Sequence, residues 1–359
     1  MVMKNFNLKG LFKKKHQPTL GVDLGSHTLK IVEFSGNGQR KKVKKIGRAL
    51  LPQGAIVDGS IKEHETVQGV LENLLSNLQP TLKKTSTSIS GYSVIVKKIH
   101  VPYMSEQEVE ENLLVEAEKY IPFEISDVYI DFSVLKTYED ENGGSDIFLV
   151  AAKKEIVDEY ASLLEGVGLT PSVIDVDAFT LANAFELAYG QVEEPAVLID
   201  IGARKANLNI VKKGMPIFTR DMTIGGEQLT EAIQEATGLN RDDAEAAKIS
   251  GTKDKVLSKE ISTVVNEMTG LWANEIKKAL SFFKSSASSE EIPTCVFLSG
   301  GTSLLKGIEE LFSSALGLET KKLNAFSGKE FDKNIDEKYM SAISPQMAIA
   351  SGLAIRSAE

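Results

Sequence analysis

The chain has 359 residues, of which 42% are hydrophobic and 25% charged, and this suggests two globular domains or one bilobal unit. Its net charge of −9 argues against nucleic-acid binding, because the phosphate backbone requires a basic surface. The single cysteine, Cys295, excludes an intramolecular disulfide or a cysteine-based zinc cluster, and no apolar run is long enough for a membrane span or a secretory signal.

Residues 1–17 form a basic leader in which lysines are interspersed with apolar side chains. The lysines are Lys4, Lys9, Lys13, Lys14 and Lys15. A segment of this composition either stays solvated and flexible or makes a weak contact with anionic lipid. We expect the solvated state, with the weak membrane contact as the alternative.

Residues 20–34, LGVDLGSHTLKIVEF, contain two apolar runs around a small polar turn. Alternating apolar positions predict a β-hairpin. Its tip consists of Gly25, Ser26, His27 and Thr28. Backbone N–H groups that converge at such a tip can bind an anion. Asp23 precedes the tip, where a carboxylate fits a Mg²⁺ ion lying between it and a phosphate. An ordinary hairpin with a polar turn is the alternative.

The next elements lead into a separate module. Apolar spacing predicts a helix over 64–78, and a strand-like run follows over 87–96. Between 95 and about 168, one predicted helix, two strands and a second helix follow each other, a pattern typical of a small α+β subdomain. A capping box, formed by Ser105 and Glu108, begins the first of these helices.

Asp177 lies in the segment DVDAFTLANAF, directly before a helix predicted over 178–189. Its carboxylate can orient a water molecule or a hydrated Mg²⁺ ion. The alternative is a structural role as the N-cap of the helix that follows, and one residue can have both roles.

A second hairpin, predicted over 196–211, repeats the plan of the first. It contains an apolar strand, Asp200, one apolar residue, Gly202, a small turn and a second strand. The two aspartates are about half the chain apart, which indicates an internal duplication. Two D-x-G tips from similar halves can hold a polyphosphate from both sides.

The second half also contains predicted helices over 227–237 and 258–285 and a helix that begins at Asp242. On the last of these, Glu245 and Lys248 are three residues apart and therefore share a face. They either hydrogen-bond a ribose diol or form an ordinary surface ion pair. The long helix has a broad apolar stripe that we expect to be core. Its members are Ile261, Val264, Val265, Met268, Leu271, Trp272, Ile276, Leu280 and Phe283.

A third glycine-containing turn, Ser299-Gly300-Gly301-Thr302, follows a short apolar strand. Two glycines let the backbone lie against a planar base or a phosphate, where a side chain would collide. A tight strand-to-helix turn is the alternative. The sequence has no P-loop, no G-x-G-x-x-G and no H-E-x-x-H motif, so those nucleotide and zinc folds have no fingerprint here.

Three motifs in this order, VDLGSHT, IDIGARKAN and LSGGTSLLKGI, resemble the two phosphate motifs and the adenosine motif of the actin and sugar-kinase superfamily. The segment DVDAF stands where the first connecting motif belongs. The insertion at 95–168 is similar to that of FtsA and of the PilM family of type IV pilus assembly proteins, and stretches over nearly the whole chain resemble PilM. The resemblance implies an α/β, actin-like, ribonuclease H-like fold of two lobes with an inserted α+β subdomain.

The same resemblance implies a division of the chain. The leader would cover 1–17, and the first lobe 18–94, 169–193 and 345–359. The inserted subdomain would cover 95–168. The second lobe would have its core at 194–225 and 292–344 and its helical part at 226–291.

Carried over to this sequence, the resemblance implies an ATP or ADP site with Mg²⁺. The phosphate contacts would be Gly25, Ser26, His27, Thr28, Gly202 and Ala203. Asp23 and Asp200 would hold the metal through water, and Asp177 would be the catalytic carboxylate. Glu245 and Lys248 would bind the ribose. The nucleoside would be framed by Gly225, Gly226, Gly300, Gly301 and Thr302.

The resemblance also implies a cytoplasmic scaffold at the inner-membrane face. It would bind the N-terminal tail of a bitopic PilN-type protein and contact other pilus components. The second tip departs from the family, because Arg204, Lys205 and Asn207 stand where small hydroxyl residues are common. The two cations, Arg204 and Lys205, either pair with phosphate or point to solvent. We expect ATP hydrolysis to be slow at most. The alternatives are an FtsA-like filament protein and a small-molecule kinase of the superfamily.

Overall fold

The computed structural model describes residues 17–36, 41–102, 113, 115, 117–138 and 143–358. The basic leader up to residue 16 and the predicted capping box at Ser105 lie outside these residues. The strands are β1 (Gln17–Pro18), β2 (Leu20–Leu24), β3 (Thr28–Ser35), β4 (Lys42–Leu50), β5 (Ile56–Val57), β6 (Ser60–Ile61), β7 (Lys84–Ile89), β8 (Val94–Pro102), β9 (Val128–Thr137), β10 (Gly144–Lys153), β11 (Thr170–Val176), β12 (Ala196–Ile201), β13 (Ala206–Lys212), β14 (Met215–Met222), β15 (Cys295–Ser299), β16 (Glu319–Lys322), β17 (Glu330–Phe331) and β18 (Ser357–Ala358). The α-helices are α1 (His64–Leu78), α2 (Lys154–Gly166), α3 (Asp177–Tyr189), α4 (Gly226–Thr237), α5 (Arg241–Ser250), α6 (Lys255–Lys284), α7 (Ile308–Leu316), α8 (Glu337–Ile343) and α9 (Ala348–Ala354).

Two mixed sheets repeat one plan. The first has the order β11-β7-β2-β3-β4-β17 and the second the order β14-β13-β12-β15-β16. In each, three antiparallel strands form a meander, and the next strand pairs parallel with the first strand of that meander. The duplication predicted from the two D-x-G hairpins is therefore confirmed. The repeat also places Asp23 and Asp200 at equivalent positions, one residue before the end of β2 and of β12.

Helices α3 and α9 pack against each other and contribute to a core that includes β12. α9 also packs on β2 of the first sheet. The crossing is close at Gly352, where an added Cβ would collide with the carbonyl oxygen of Thr180. These two helices therefore connect the sheets on which both predicted phosphate tips are built.

We predict that Gly352→Ala destabilises the protein by about 2 kcal/mol, because overpacking forces the crossing helices apart. Gly69→Ala is the matched control, since Gly69 is also helical and a Cβ there meets no atom within 4 Å. That control gains helix propensity and has unchanged or slightly higher stability. Urea unfolding of both variants measures the difference, and equal stabilities would contradict the close crossing.

The inserted unit is a three-stranded antiparallel sheet of order β8-β10-β9 with its own apolar core. Helix α2, which we predicted as part of this unit, packs elsewhere. Its buried residues Ile156, Tyr160 and Leu164 belong to the core of the first sheet, together with Leu20 and Val22. We therefore propose that the inserted unit ends near the end of β10. The two-residue strand β17 likewise pairs with β4 of the first sheet, although the sequence assigned that region to the second lobe.

The long helix predicted over 258–285 is α6. Asp254 caps it by accepting hydrogen bonds from the backbone N–H groups of Val256 and Leu257. Most of the predicted apolar stripe packs into the second-lobe core, with Trp272 and Ile276 buried. The prediction is wrong for Leu271, which is 59% exposed. The helix buries a narrower face than the breadth of the stripe indicated.

Candidate functional site

The first predicted tip carries a buried ion pair. Asp23 and Lys30 are paired in the hairpin register, and the Lys30 ammonium lies 2.8 Å from Asp23 Oδ2. Burial raises the pKa of Asp23, and the nearby charge of Asp177 adds to this effect, while Lys30 opposes it. The carboxylate of the first tip is thus already partly neutralised by the chain itself.

Asp177 is the first residue of α3, whose N-cap is Val176 without a side-chain cap. Its predicted alternative role as an N-cap is therefore wrong. Its Oδ1 accepts a hydrogen bond of 2.7 Å from Ser88 and its Oδ2 accepts one from Ser90. Both serines come from the first sheet, Ser88 within β7 and Ser90 just after it.

Lys205, from the tip of the second hairpin, reaches the same carboxylate. Its ammonium lies 3.5 Å from Asp177 Oδ2 and donates to Ser90 Oγ. Arg204 pairs with Glu227 at 3.1 Å, and Asn207 donates to Asp221 at 2.7 Å. For the two cations the sequence left phosphate or solvent as partners, whereas here Arg204, Lys205 and Asn207 all bind protein carboxylates or hydroxyls.

Asp200 at the second tip has a different environment. Its Oδ1 accepts a hydrogen bond of 2.8 Å from Ser299 Oγ. Burial raises the pKa of Asp200 to about 6, and the charges of Asp177 and Asp23 also raise it. The three carboxylates therefore lie within electrostatic reach of one another.

The described residues contain no group of three histidine, cysteine, aspartate or glutamate side chains that could hold a metal ion directly. Asp23 and Asp177 already have lysine partners, whereas Asp200 has a hydroxyl donor. This donor set fits a metal held through water near Asp200 and does not fit direct coordination by all three carboxylates.

The glycine-containing turns join the second tip. The carbonyl oxygen of Gly202 accepts hydrogen bonds from Thr302 Oγ1 at 2.8 Å and from the Gly226 N–H at 3.0 Å. The Glu227 N–H donates to the Ala203 carbonyl at 2.7 Å. The second tip, the N-terminus of α4 and the turn at 299–302 are thus joined by hydrogen bonds into one unit.

The glycines of this unit differ in what they do. Gly300 has φ of 84°, and an added Cβ would collide with the Ile201 backbone. At Gly225 it would collide with the carbonyl oxygen of Ala203. Both glycines allow close backbone packing. Gly301 is exposed, and a Cβ there meets no atom within 4 Å, so it leaves open space that a ligand can use.

The predicted ribose pair is present on α5. Lys248 Nζ lies 2.6 Å from Glu245 Oε2 and donates to the Gly226 carbonyl at 3.0 Å. Burial disfavours ionisation of Glu245, but Lys248 and the Thr230 hydroxyl outweigh it and hold the Glu245 pKa below its usual value. The ion pair of the alternative interpretation is present, but it is not an ordinary surface pair, since the Lys248 side chain is only 8% exposed. The ribose role stays a prediction.

His27 of the first tip is within electrostatic reach of this pair. Burial lowers the pKa of His27, and the charges of Glu245, Lys248 and Arg241 also act on it. The first tip and α5 therefore lie within electrostatic reach of each other. Gln53 of the first lobe adds a direct bond, donating to Glu227 Oε1 at 2.7 Å.

Sequence reasoning did not find Ser88, Ser90, Asp221 or Glu227. A signal existed for the serines, because the run TSTSIS places five hydroxyl residues on and just after a strand that the first-sheet core buries. Buried hydroxyls need partners, so the run indicated a polar site. One partner of each lies on the first lobe, Gln53 for Glu227 and the Gly91 N–H for Asp221. These contacts depend on how the two lobes face each other, which no local pattern indicates.

A separate cavity of about 360 Å³ lies at the base of the inserted unit, and Asp23, Asp177 and Asp200 are not among its lining residues. Its lining residues are Phe123, Glu124, Ser126, Asp127, Lys153, Lys154 and Glu155. The Lys153 ammonium stands 4.8 Å from the centre of the Phe123 ring, and Lys154 donates to the Ser126 carbonyl at 2.6 Å. The cavity thus combines an apolar wall with both signs of charge.

Comparison with known proteins decides the family. A family described as type IV pilus assembly protein PilM matches residues 21–358. The chain belongs to this PilM family. A solved structure described as a PilM-PilN type IV pilus biogenesis complex has a TM-score of 0.83 and 30% identity over 95% of this chain and 98% of that one.

Two more distant structures show the fold alone. The ethanolamine utilization protein EutJ of Carboxydothermus hydrogenoformans has a TM-score of 0.59 and 17% identity, over 98% of this chain and 94% of that one. MreB 5 of Spiroplasma citri, solved with AMPPNP, has a TM-score of 0.53 and 14% identity over 95% of each chain. The predicted actin-like α/β fold is confirmed. In the part of the chain that the structure describes, no helix has the length and hydrophobicity of a membrane span.

Proposed function

We propose that this chain is an actin-like, nucleotide-binding scaffold of type IV pilus assembly. Membership of the PilM family over 21–358, together with the similarity to a PilM structure in complex with PilN, carries this proposal. The scaffold acts in the cytoplasm and is held at the inner-membrane face by the N-terminal tail of a PilN-type protein. Other pilus assembly components then dock on it.

In this proposal ATP or ADP lies between the two tips. Gly25, Ser26, His27, Thr28, Gly202 and Ala203 bind the phosphates, and Glu245 and Lys248 bind the ribose. The nucleoside lies against Gly225, Gly226, Gly300, Gly301 and Thr302. A Mg²⁺ ion bound with the phosphates is held through water by Asp200 and Asp23. The site then supplies little chemistry, and the nucleotide acts mainly as a wedge that sets the angle between the lobes.

The rival functions find less support. A small-molecule kinase needs a cleft for a second substrate and a base directed at it, whereas Asp177 is already engaged by serines and a lysine. An FtsA-like filament protein would belong to a different family from the one matched here. We expect ATP turnover to be slow and unaffected by panels of sugars or carboxylic acids.

The cavity beside Phe123 is the proposed site for part of the partner's tail. It lies where the inserted unit meets the first lobe, between the segment before β9 and the start of α2. Lys153 and Lys154 can bind carboxylates, Glu124 and Asp127 can bind basic side chains, and the Phe123 ring offers an apolar wall. A short extended peptide with mixed character matches this lining.

We predict that a synthetic N-terminal tail of the PilN-type protein binds the full chain with a Kd in the micromolar range or tighter. A tail from a tubulin-like division protein does not bind. Fluorescence anisotropy measures both. Phe123→Ala weakens PilN-tail binding about tenfold, because it removes the apolar wall.

Phe282→Ala is the matched control for this variant, since Phe282 is 65% exposed on α6 of the other lobe. Its affinity for the tail should equal that of the wild type. Tight binding of the division-protein tail, or none of the PilN tail, would overturn the scaffold assignment. If Phe123→Ala binds the PilN-type tail as tightly as the wild type does, only the proposed position of the tail in this cavity is contradicted.

A further inference from the structure

Lys205 has partners in the candidate nucleotide site that the sequence did not predict. It is carried by the second lobe, just after the D-x-G motif, and its ammonium lies on the first-lobe pair Ser90 and Asp177. We propose that Lys205 is a positioning residue that ties up Asp177 and keeps the bound nucleotide from being hydrolysed. This inference rests on the proposed function, because it assumes a nucleotide between the tips.

The hydrogen bonds at Asp177 support this role. One carboxylate oxygen accepts from Ser88 and the other from Ser90, and the Lys205 ammonium lies 3.5 Å from the latter oxygen. A carboxylate has about four acceptor positions. Two of them accept from the serines, and the ammonium at 3.5 Å stands beside Oδ2, where a water molecule would otherwise bind. A general base must be within hydrogen-bond reach of the water whose proton it takes.

The charge of Lys205 also keeps Asp177 from acting as a base. Asp177 is held by a cation that the chain itself supplies, and the side chains of both residues are only partly exposed, at 37% and 20%. Because Asp177 is largely shielded, the attraction is screened less than between two fully exposed charges. The contact also joins the two lobes, together with the bond from the Gly91 N–H to Asp221 at 3.2 Å.

The suppressed reaction is simple. The oxygen of a water molecule forms a bond to the terminal phosphorus of ATP, the bond from that phosphorus to the bridging oxygen breaks, and ADP leaves. One proton of the water passes to Asp177 and then to solvent, so that phosphate, ADP and a proton are the products. With Lys205 removed, the oxygen that faced it can accept the proton.

The test compares Lys205→Ala with Lys205→Arg in the full chain. At saturating ATP with Mg²⁺, we expect turnover to rise about tenfold in Lys205→Ala, less than the roughly hundredfold or more that a fully positioned general base contributes. Lys205→Arg keeps a cation on Asp177 and stays within about twofold of the wild type. Lys205→Ala/Asp177→Asn returns to the wild-type rate, because the freed base is gone.

A binding measurement separates this role from a simpler one. Calorimetry with AMPPNP should give Kd values within about threefold for the wild type and Lys205→Ala. If AMPPNP affinity falls tenfold or more and saturating turnover does not rise, Lys205 is a phosphate ligand and the inference is overturned. If the wild type binds no AMPPNP, the proposed nucleotide site itself fails. Thermal melting of each variant confirms that it folds.

Discussion

Gly301→Leu should lower the affinity for ATP and ADP at least a hundredfold while the protein keeps its fold. Because a Cβ at Gly301 meets no atom within 4 Å and the residue is exposed, the native packing leaves room for a larger side chain. A leucine there projects into the space that the proposed nucleoside occupies. The loss corresponds to about 2.7 kcal/mol or more of binding free energy.

Calorimetric titration with ADP and with AMPPNP measures the loss, and circular dichroism with thermal melting checks the fold. Gly270→Leu is the matched control, because Gly270 is exposed on α6 and a Cβ there also meets no atom within 4 Å. It should bind nucleotide like the wild type. Gly300→Leu, in contrast, should fail to fold properly, since its side chain would collide with the Ile201 backbone. Unchanged ATP affinity in Gly301→Leu would place the nucleoside elsewhere.

The distinction between the neighbouring glycines Gly300 and Gly301 was not accessible from the sequence. Two adjacent glycines predicted a turn whose backbone lies against a planar base or a phosphate. The sequence did not indicate which of the two residues makes that contact. The structure assigns Gly300 to a contact inside the protein and leaves Gly301 open. Such a division depends on where β12 lies beside β15, which is a long-range fact.

Local pattern was sufficient for the two hairpins. Alternating apolar residues, a small turn and an aspartate just before it predicted β2–β3 and β12–β13, and the half-chain repeat predicted that their tips face one site. Local pattern was insufficient for α2. Its amphipathic spacing indicated a buried face but not which core receives it, and the face packs on the first sheet rather than on the inserted unit.

Local pattern was also insufficient to predict the partners of the two cations at the second tip. The sequence indicated that Arg204 and Lys205 depart from the usual hydroxyl residues, and it left phosphate or solvent as their partners. Their actual partners are Glu227, on a helix of the same lobe, and Asp177 with Ser90, on the other lobe. Charge pairs between segments more than twenty residues apart follow from tertiary packing, so no spacing rule could have given them.

Asp200→Asn should stabilise the nucleotide-free protein by about 3 kcal/mol at pH 7.5, the value that a pKa shift of roughly two units implies. Burial raises the pKa of Asp200 to about 6 from its ordinary value of 3.8, so the native state holds its proton more tightly than the unfolded chain does. Ionisation of Asp200 at neutral pH therefore costs folding free energy. Asparagine has the same shape, can accept the Ser299 hydrogen bond and carries no charge.

The pH dependence gives the sharper test. Since the folded pKa lies above the unfolded one, the stability of the wild type falls as the pH rises from about 4 to about 6 and is constant above that window. The advantage of Asp200→Asn should accordingly shrink from about 3 kcal/mol at pH 7.5 to about 1 kcal/mol near pH 4.5. Urea unfolding at both pH values measures it.

The same variant also tests the binding site. If a metal ion is held through water near Asp200, the cation offsets the cost of ionising this carboxylate, so wild-type ATP affinity should be higher with Mg²⁺ than with EDTA. Asp200→Asn should lose most of this difference, because the neutral amide attracts the cation less. Suppose that the variant is more stable and that its ATP affinity depends less on Mg²⁺. The wild-type carboxylate at Asp200 would then lower stability but support Mg²⁺-dependent ATP binding. Equal stability of the variant and the wild type at both pH values would contradict the buried, unneutralised state of Asp200.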